Sequence, residues 1–277
     1  MGWRLTTDVE EYAARVLPLL RTDPVGCTVA LSVLGQLRAG LRFSDDPLVL
    51  CWLERDGEVV GAASASPPYP LVLDAVPATA APALVDALRA AGAVVPGCNG
   101  EGAALDAFVA AWTARTGARA EVTMAQLLYV LGDLAVPDVA GAGRPAGPAD
   151  LALCTRWWED FAREAGVAAP GSQEHLVRDR MADDRLWLWE VDGTPVALAG
   201  RNRVEAGVAR VGPVWTPPEH RRRGYGGAVT AAVTADALAR GATGVVLFTD
   251  VANPTSNGVY RRLGFRPVGE RRVVDFR

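Results

Sequence analysis

The stretch Val214-Trp215-Thr216-Pro217-Pro218-Glu219-His220-Arg221-Arg222-Arg223-Gly224-Tyr225-Gly226-Gly227-Ala228 decides the reading of this 277-residue chain. It leaves a strand, makes a basic, glycine-rich turn and enters a helix. Pro217 and Pro218 stop the strand, because proline has no N–H to continue a ladder. Glycines let the backbone approach a ligand closely and adopt positive φ. The helix N-terminus adds unpaired N–H groups and partial positive charge, which suits a diphosphate. Arg221, Arg222 and Arg223 add charge nearby. The turn has neither the third glycine of a dinucleotide-binding fingerprint nor the lysine of a Walker loop.

Working outward, Val208–Trp215 reads as the strand feeding the turn, and Gly226–Arg240 as the helix leaving it. Val229, Ala232, Val233 and Ala237 share one face of that helix. Val245–Thr249 is a short, continuous apolar run, as in a central strand covered on both sides. Thr255–Leu263 reads as a helix stopped by Gly264. Upstream, Asp150–Gly166 and Glu174–Asp183 read as helices. The apolar runs around Asp192-Gly193 read as a hairpin.

The first half repeats this order. Helical stretches within 9–40 break near Pro24 and Gly26. A hairpin turns at Asp56-Gly57. Pro70–Val76 reads as a strand, Ala80–Ala91 as a helix, Ala93–Val95 as a short strand, Ala103–Thr116 as a helix and Ala120–Leu131 as strand. Between the halves, Asp133–Asp150 is rich in Pro, Gly and Ala and reads as a linker. The repetition points to a tandem duplication. The expected domains are 1–135 and 149–277, joined by a linker at 136–148.

Composition narrows the classes. Net charge is −4, so no general basic field for nucleic acid exists. Residues 1–147 carry 10 Arg against 16 acids, and residues 148–277 carry 18 Arg against 16 acids; all the basic residues are Arg. Two histidines, His175 and His220, rule out a His-rich metal site. The four cysteines, Cys27, Cys51, Cys98 and Cys154, are far apart and read as buried free thiols. No apolar run is long enough to span a bilayer. A cytoplasmic protein, with no membrane or nucleic-acid partner and no metal, is expected.

Arg221-x-x-Gly224-x-Gly226 resembles the R/Q-x-x-G-x-G/A signature of the GNAT (GCN5-related) N-acetyltransferase superfamily. Downstream, Asn253-Pro254-Thr255-Ser256-Asn257-Gly258-Val259-Tyr260-Arg261-Arg262-Leu263-Gly264-Phe265 is similar to that family's closing motif. The resemblance covers about residues 148–277. It implies an α/β fold with a mixed, mostly antiparallel sheet whose central parallel strands splay, in two tandem domains. It implies acetyl-CoA as cosubstrate, transferring its acetyl group to a primary amine by direct attack in a ternary complex. The acceptor would be a small-molecule or peptide amine. A non-catalytic acyl-CoA-binding regulatory module is the alternative.

Carried over residue by residue, Val214, Trp215 and Thr216 would line the pantetheine arm. The turn from Arg222 and Arg223 through Gly224, Tyr225, Gly226 and Gly227 would hold the pyrophosphate. Asn253 and Asn257 would lie along the arm. Tyr260 would give a proton to the departing thiolate, a role chemistry supports independently, since sulfur gains negative charge as it leaves. Trp157 and Glu159 are candidates for the acceptor pocket; Asp160, Glu190 and His220 are weaker candidates for a base. In the first half the corresponding turn, Val76–Pro82, has neither glycine nor a basic residue, so that half reads as a degenerate copy without cofactor.

Overall fold

The computed structural model describes residues 2–42, 44–167 and 171–277. In chain order the elements are β1 (Gly2–Thr6), α1 (Val9–Leu20), α2 (Thr28–Arg38), β2 (Val49–Arg55), β3 (Glu58–Ala65), β4 (Leu71–Ala75), α3 (Ala81–Ala90), β5 (Gly97–Gly100), α4 (Gly102–Thr116) and β6 (Ala120–Leu131). There follow β7 (Ala142–Pro145), α5 (Leu151–Glu164), α6 (Glu174–Ala182), β8 (Leu186–Val191), β9 (Thr194–Arg201), β10 (Val208–Trp215), α7 (Tyr225–Ala239), β11 (Gly244–Asp250), α8 (Pro254–Arg262) and β12 (Phe265–Phe276). The expected fold class is observed: open, mostly antiparallel α/β sheets with a parallel pair in each half.

The chain divides into two compact units. The first unit comprises Met1–Leu127, Asp250–Ala252 and Gly269–Arg277; the second comprises Leu128–Thr249 and Asn253–Val268. The chain therefore leaves the first unit within β6, rejoins it at Asp250–Ala252 and rejoins it again within β12.

In the first unit the strand order is β1-β2-β3-β4-β5, with the end of β12 beside β5. Arg272–Asp275 pair antiparallel with Gly100–Gly97. The main chains of Arg119 and Arg277 exchange hydrogen bonds of 2.7 and 3.0 Å, closing the β6 side. One face of this sheet buries Leu84, Leu88, Leu105, Phe108 and Trp112 of α3 and α4; the other buries Tyr12, Val16, Leu31 and Leu34 of α1 and α2. Burial of each such side chain stabilises by roughly 1.5–3 kcal/mol. Trp112 stacks on Phe276 at 5.3 Å between ring centroids, so the end of β12 is part of this core.

Sequence expectations hold for most elements, and the departures have physical causes. Both D-G turns place two consecutive residues at positive φ: Asp56 at 52° and Gly57 at 85°, Asp192 at 49° and Gly193 at 74°. That geometry matches the twist of a two-residue hairpin. The expected strand at Ala93–Val95 lies instead at Gly97–Gly100. A side chain at Gly97 would strike the carbonyl of Val274, so the close approach of β12 selects glycine there. Asp133–Asp150 is not a free linker. It contains β7, an edge strand paired with β8 from Ala142↔Glu190 to Pro145↔Trp187. A Cβ on Gly143 would lie 2.9 Å from the Cβ of Ala232, so a small residue lets β7 sit against α7. β12 is one continuous strand. All four cysteines are free and buried.

Deep in the first unit, Arg271 of β12 pairs with Asp74 of β4 and donates to Asn99 Oδ1 at 2.6 Å. The Asp74 side chain is fully buried and that of Arg271 is 3% exposed. Asp74 also accepts from the Ala30 amide at 2.8 Å. Removing one partner leaves a bare buried charge. Arg271→Leu should therefore cost about 3–5 kcal/mol in urea unfolding. Arg272→Ala, which breaks an exposed pair with Asp106, should cost about 1 kcal/mol or less.

Candidate active site

The second unit orders its strands β11-β10-β9-β8-β7, with residues 128–131 of β6 beside β11. β10 and β11 run parallel, in register from Val208↔Gly244 to Val211↔Leu247. Both strands continue past that point, to Trp215 and Asp250, without further pairing. On its other edge β10 stays bonded to β9, with a bulge between Val211 and Val214. Pro213 lies in that bulge and has no N–H to offer either neighbour. The parallel pair thus parts at Val211, and the main chain from Gly212 to Trp215 faces an opening without a strand partner on the β11 side.

The turn beyond β10 is held by one of its three arginines. Arg221 Nε donates to the Thr216 carbonyl at 2.9 Å, and Nη2 donates to Glu164 of α5 at 2.8 Å. Its guanidinium carbon lies 4.9 Å from the centre of the Trp215 ring. Arg222, at φ 62°, and Arg223 are exposed and have no ion pair among the described residues. Arg221 is therefore the latch of the turn, and its two neighbours are free to meet an anion.

Gly224 caps α7 at φ 86° without any side-chain cap, and the first helical bond runs from the Ala228 amide to the Gly224 carbonyl at 3.0 Å. The amides of Tyr225, Gly226 and Gly227 therefore have no intrahelical acceptor. A Cβ on Gly226 would come within 3.1 Å of Thr216 Oγ1, and one on Gly227 within 3.3 Å of Val259. Tyr225 is buried and roots the first turn of α7. Trp215, also buried, has an indole N–H without an acceptor among the described residues.

Across the opening, Asn253 caps α8, its Oδ1 accepting from the Ser256 amide at 3.0 Å. Asn257 is buried; its Nδ2 donates to the Asn253 carbonyl at 2.8 Å and its Oδ1 accepts from Tyr129 at 3.0 Å. Both asparagines, candidates for the pantetheine arm, thus hold α8 in place. Tyr129, at the end of β6, was not singled out by any sequence pattern. Tyr260 lies one turn further along, 8% exposed, with its ring 6.4 Å from that of Tyr129 and 6.2 Å from that of Phe265. Its hydroxyl makes no hydrogen bond to another described residue. Burial pushes its pKa up to about 12, so the phenol stays protonated through neutral pH.

Trp157 and Trp158 are both buried on α5. Glu159, half-buried, accepts from Ser172 Oγ at 3.4 Å. Two of the weaker base candidates are engaged elsewhere: Glu190 pairs with Arg144 at 2.6 Å, and Asp160 with Arg163 at 2.8 Å. His220 closes the short helical turn after Pro217. Among the described residues, no three His, Cys, Asp or Glu side chains gather as a metal cluster.

In the first unit, β4 and β5 also pair in parallel, through Leu71↔Cys98 and Val72↔Asn99. There the helix entry is closed. Ala80 and Ala81 are buried, and the Trp3 indole donates to the Ala80 carbonyl at 3.1 Å.

A parallel pair that parts beside an uncapped, glycine-rich helix entry defines the architecture of an acyl-CoA N-acyltransferase. Residues 152–265 match the model of the acetyltransferase (GNAT) family, so this segment is similar to members of the GNAT superfamily. Members of that family are in general enzymes that use acetyl-CoA. Solved structures share the fold along the whole chain. A Drosophila protein solved by structural genomics superposes with a TM-score of 0.70 at 14% identity, covering 99% of this chain and 98% of its own. A GCN5-related N-acetyltransferase from Sphaerobacter thermophilus gives 0.62 at 18% identity, covering 99% and 94%. A tandem GNAT protein from the clavulanic acid biosynthesis pathway gives 0.56 at 17% identity, covering 100% and 98%. No curated protein matches the chain.

Gly224→Ala tests the turn. Its φ is left-handed, and a Cβ would sit 2.9 Å from Val139 Cγ2. The substitution should lower unfolding free energy by about 1–3 kcal/mol, read from the urea midpoint.

Proposed function

We propose that the chain transfers an acetyl group from acetyl-CoA to a primary amine, with both substrates bound together. The uncapped entry of α7 carries this reading. Three consecutive main-chain amides without acceptors, two glycines that keep their approach clear and two unpaired arginines fit a diphosphate. The orphaned Trp215 indole and the unpaired stretch of β10 suit an amide-bearing arm such as pantetheine.

Acetyl-CoA supplies an acyl group activated as a thioester. The bond from the amine nitrogen to the acyl carbon forms as the bond from that carbon to sulfur breaks. Tyr260, neutral and without a hydrogen-bond partner among the described residues, gives its proton to the departing sulfur; the proton that the amine nitrogen loses passes to solvent, from which the phenolate is reprotonated. Turn amides and Arg222 and Arg223 fix the far end of the donor, so the thioester is positioned rather than merely bound. A helix without a charged or polar cap leaves this task to the ligand. The first unit, whose corresponding helix entry is covered by Trp3, takes no acyl-CoA in this reading. The protein acts without a metal or nucleic acid.

Titration calorimetry with acetyl-CoA tests the reading directly, and absence of saturable heat would sink it. Tyr260→Phe should bind acetyl-CoA as wild type does and lower kcat about 10²–10⁴-fold where chemistry limits the rate. The pH dependence follows from the raised pKa. The Tyr260 proton is held at every pH below about 12. Rate should therefore rise with pH as the amine loses its proton, with no fall attributable to this tyrosine below about pH 10.

A further inference from the structure

A second unusual cation lies in the same unit. Arg180 of α6 is 5% exposed, yet it has no carboxylate of its own among the described residues. Its Nη2 donates to Asn202 Oδ1 at 2.9 Å, and its guanidinium carbon lies 4.5 Å above the Trp158 ring of α5. Nε and Nη1 are buried and have no hydrogen-bond partner among the described residues. A guanidinium has five N–H donors, so the one on Nε and the two on Nη1 go unanswered.

The neighbours deepen the imbalance. Asp179, the adjacent carboxylate, is taken by Arg185 at 2.7 Å and by Arg203 at 2.9 Å. Arg210 of β10 adds a further positive charge nearby and reaches towards Phe248 of β11, 5.9 Å from its ring centre. Burial first, then Arg185, pushes the Arg180 pKa down to about 9. An aromatic face and one amide oxygen offset only part of the cost of burying such a charge. Structural arginines in this unit do not look like this: Arg201, equally buried, is matched by Asp236 through two hydrogen bonds of 3.0 and 2.7 Å.

We propose that Arg180 is the anchor for an oxyanion on the acceptor, so that the amine acetylated by this protein also carries a carboxylate. The inference rests on the acetyltransferase reading and narrows its acceptor class to amino acids or similar amino acids of the non-protein kind. Trp158 lies on the guanidinium and gives way when the anion enters. The site is built from α5, α6 and the loop after β9. α5 also packs along β10, the strand that parts from β11, so Trp158 belongs to an element that reaches the opening. A carboxylate accepts in-plane from the guanidinium in paired geometry, which Lys cannot reproduce.

The test uses the full chain and compares free amino acids with their C-terminal amides, and O-phosphoethanolamine with ethanolamine, by calorimetry with CoA present and absent. Saturable binding of an acid and at least tenfold weaker binding of its amide is the expected result. Binding of O-phosphoethanolamine in place of every carboxylate would overturn the carboxylate assignment. Equal affinity for acids and amides, or no binding of any acid, would overturn the proposal entirely. Arg180→Met should weaken acid binding about 30-fold or more while leaving acetyl-CoA affinity unchanged, and Arg180→Lys should fall between. Should the Met variant not fold, the acid-against-amide comparison on the wild type decides. Because acetyl-CoA binding is titrated separately, its loss would count against the acetyltransferase reading and not against the anion site.

Discussion

The second unit depends on the separation of two strands that begin as neighbours. Four residue pairs hold β10 to β11, and then the ladder ends. Its end is written into β10 itself, where Pro213 removes a donor and the bulge against β9 shifts the register. A main chain that would otherwise be satisfied in a ladder is left to seek another partner. The adjacent helix entry is in the same condition, since α7 begins on a glycine with no cap. Two sets of unmet backbone groups, one at a strand and one at a helix, thus flank one opening.

Such an arrangement needs a rigid frame, and Arg221 and Asn257 provide it. Arg221 joins the end of β10 to α5 and stacks on Trp215. Asn257 joins α8 to the end of β6 through Tyr129. Neither residue leaves its main polar atoms free, so both serve by holding the ligand-facing groups still. Residues within one recognisable motif therefore divide between gripping and bracing. Arg221 and both asparagines brace, and in the proposed function Arg222, Arg223 and the glycines grip.

Much of this was legible in the sequence. The proline pair, the glycines and the D-G dipeptides each dictate a local backbone geometry, and all of them appear where expected. The order of elements followed from hydrophobic period. What escaped notice was decided by tertiary packing. β7, reading Ala-Gly-Arg-Pro, has no β-branched residue and is a strand because Gly143 fits against α7. Gly97–Gly100 looks like a turn and is a strand because β12 pairs with it and passes too close to Gly97 for a side chain there. β1 and its Trp3 carry too short a pattern to announce that they seal the first unit's helix entry. Arg180 was invisible for a different reason: nothing in a sequence tells a buried arginine from an exposed one, and its unmatched Nε and Nη1 exist only in three dimensions.

The return of the chain to its first unit has a bearing on biosynthesis. The bond between Arg271 and Asn99 spans 172 residues. On the ribosome, Asp74 and the open edge of β5 must wait for most of the remaining sequence to be translated before Arg271 arrives. Long-range closure of this kind slows folding and lengthens the exposure of an unpaired strand edge. The two units are therefore not independent beads on a string during synthesis. The unit that contains β1 is completed only once β12 has been made.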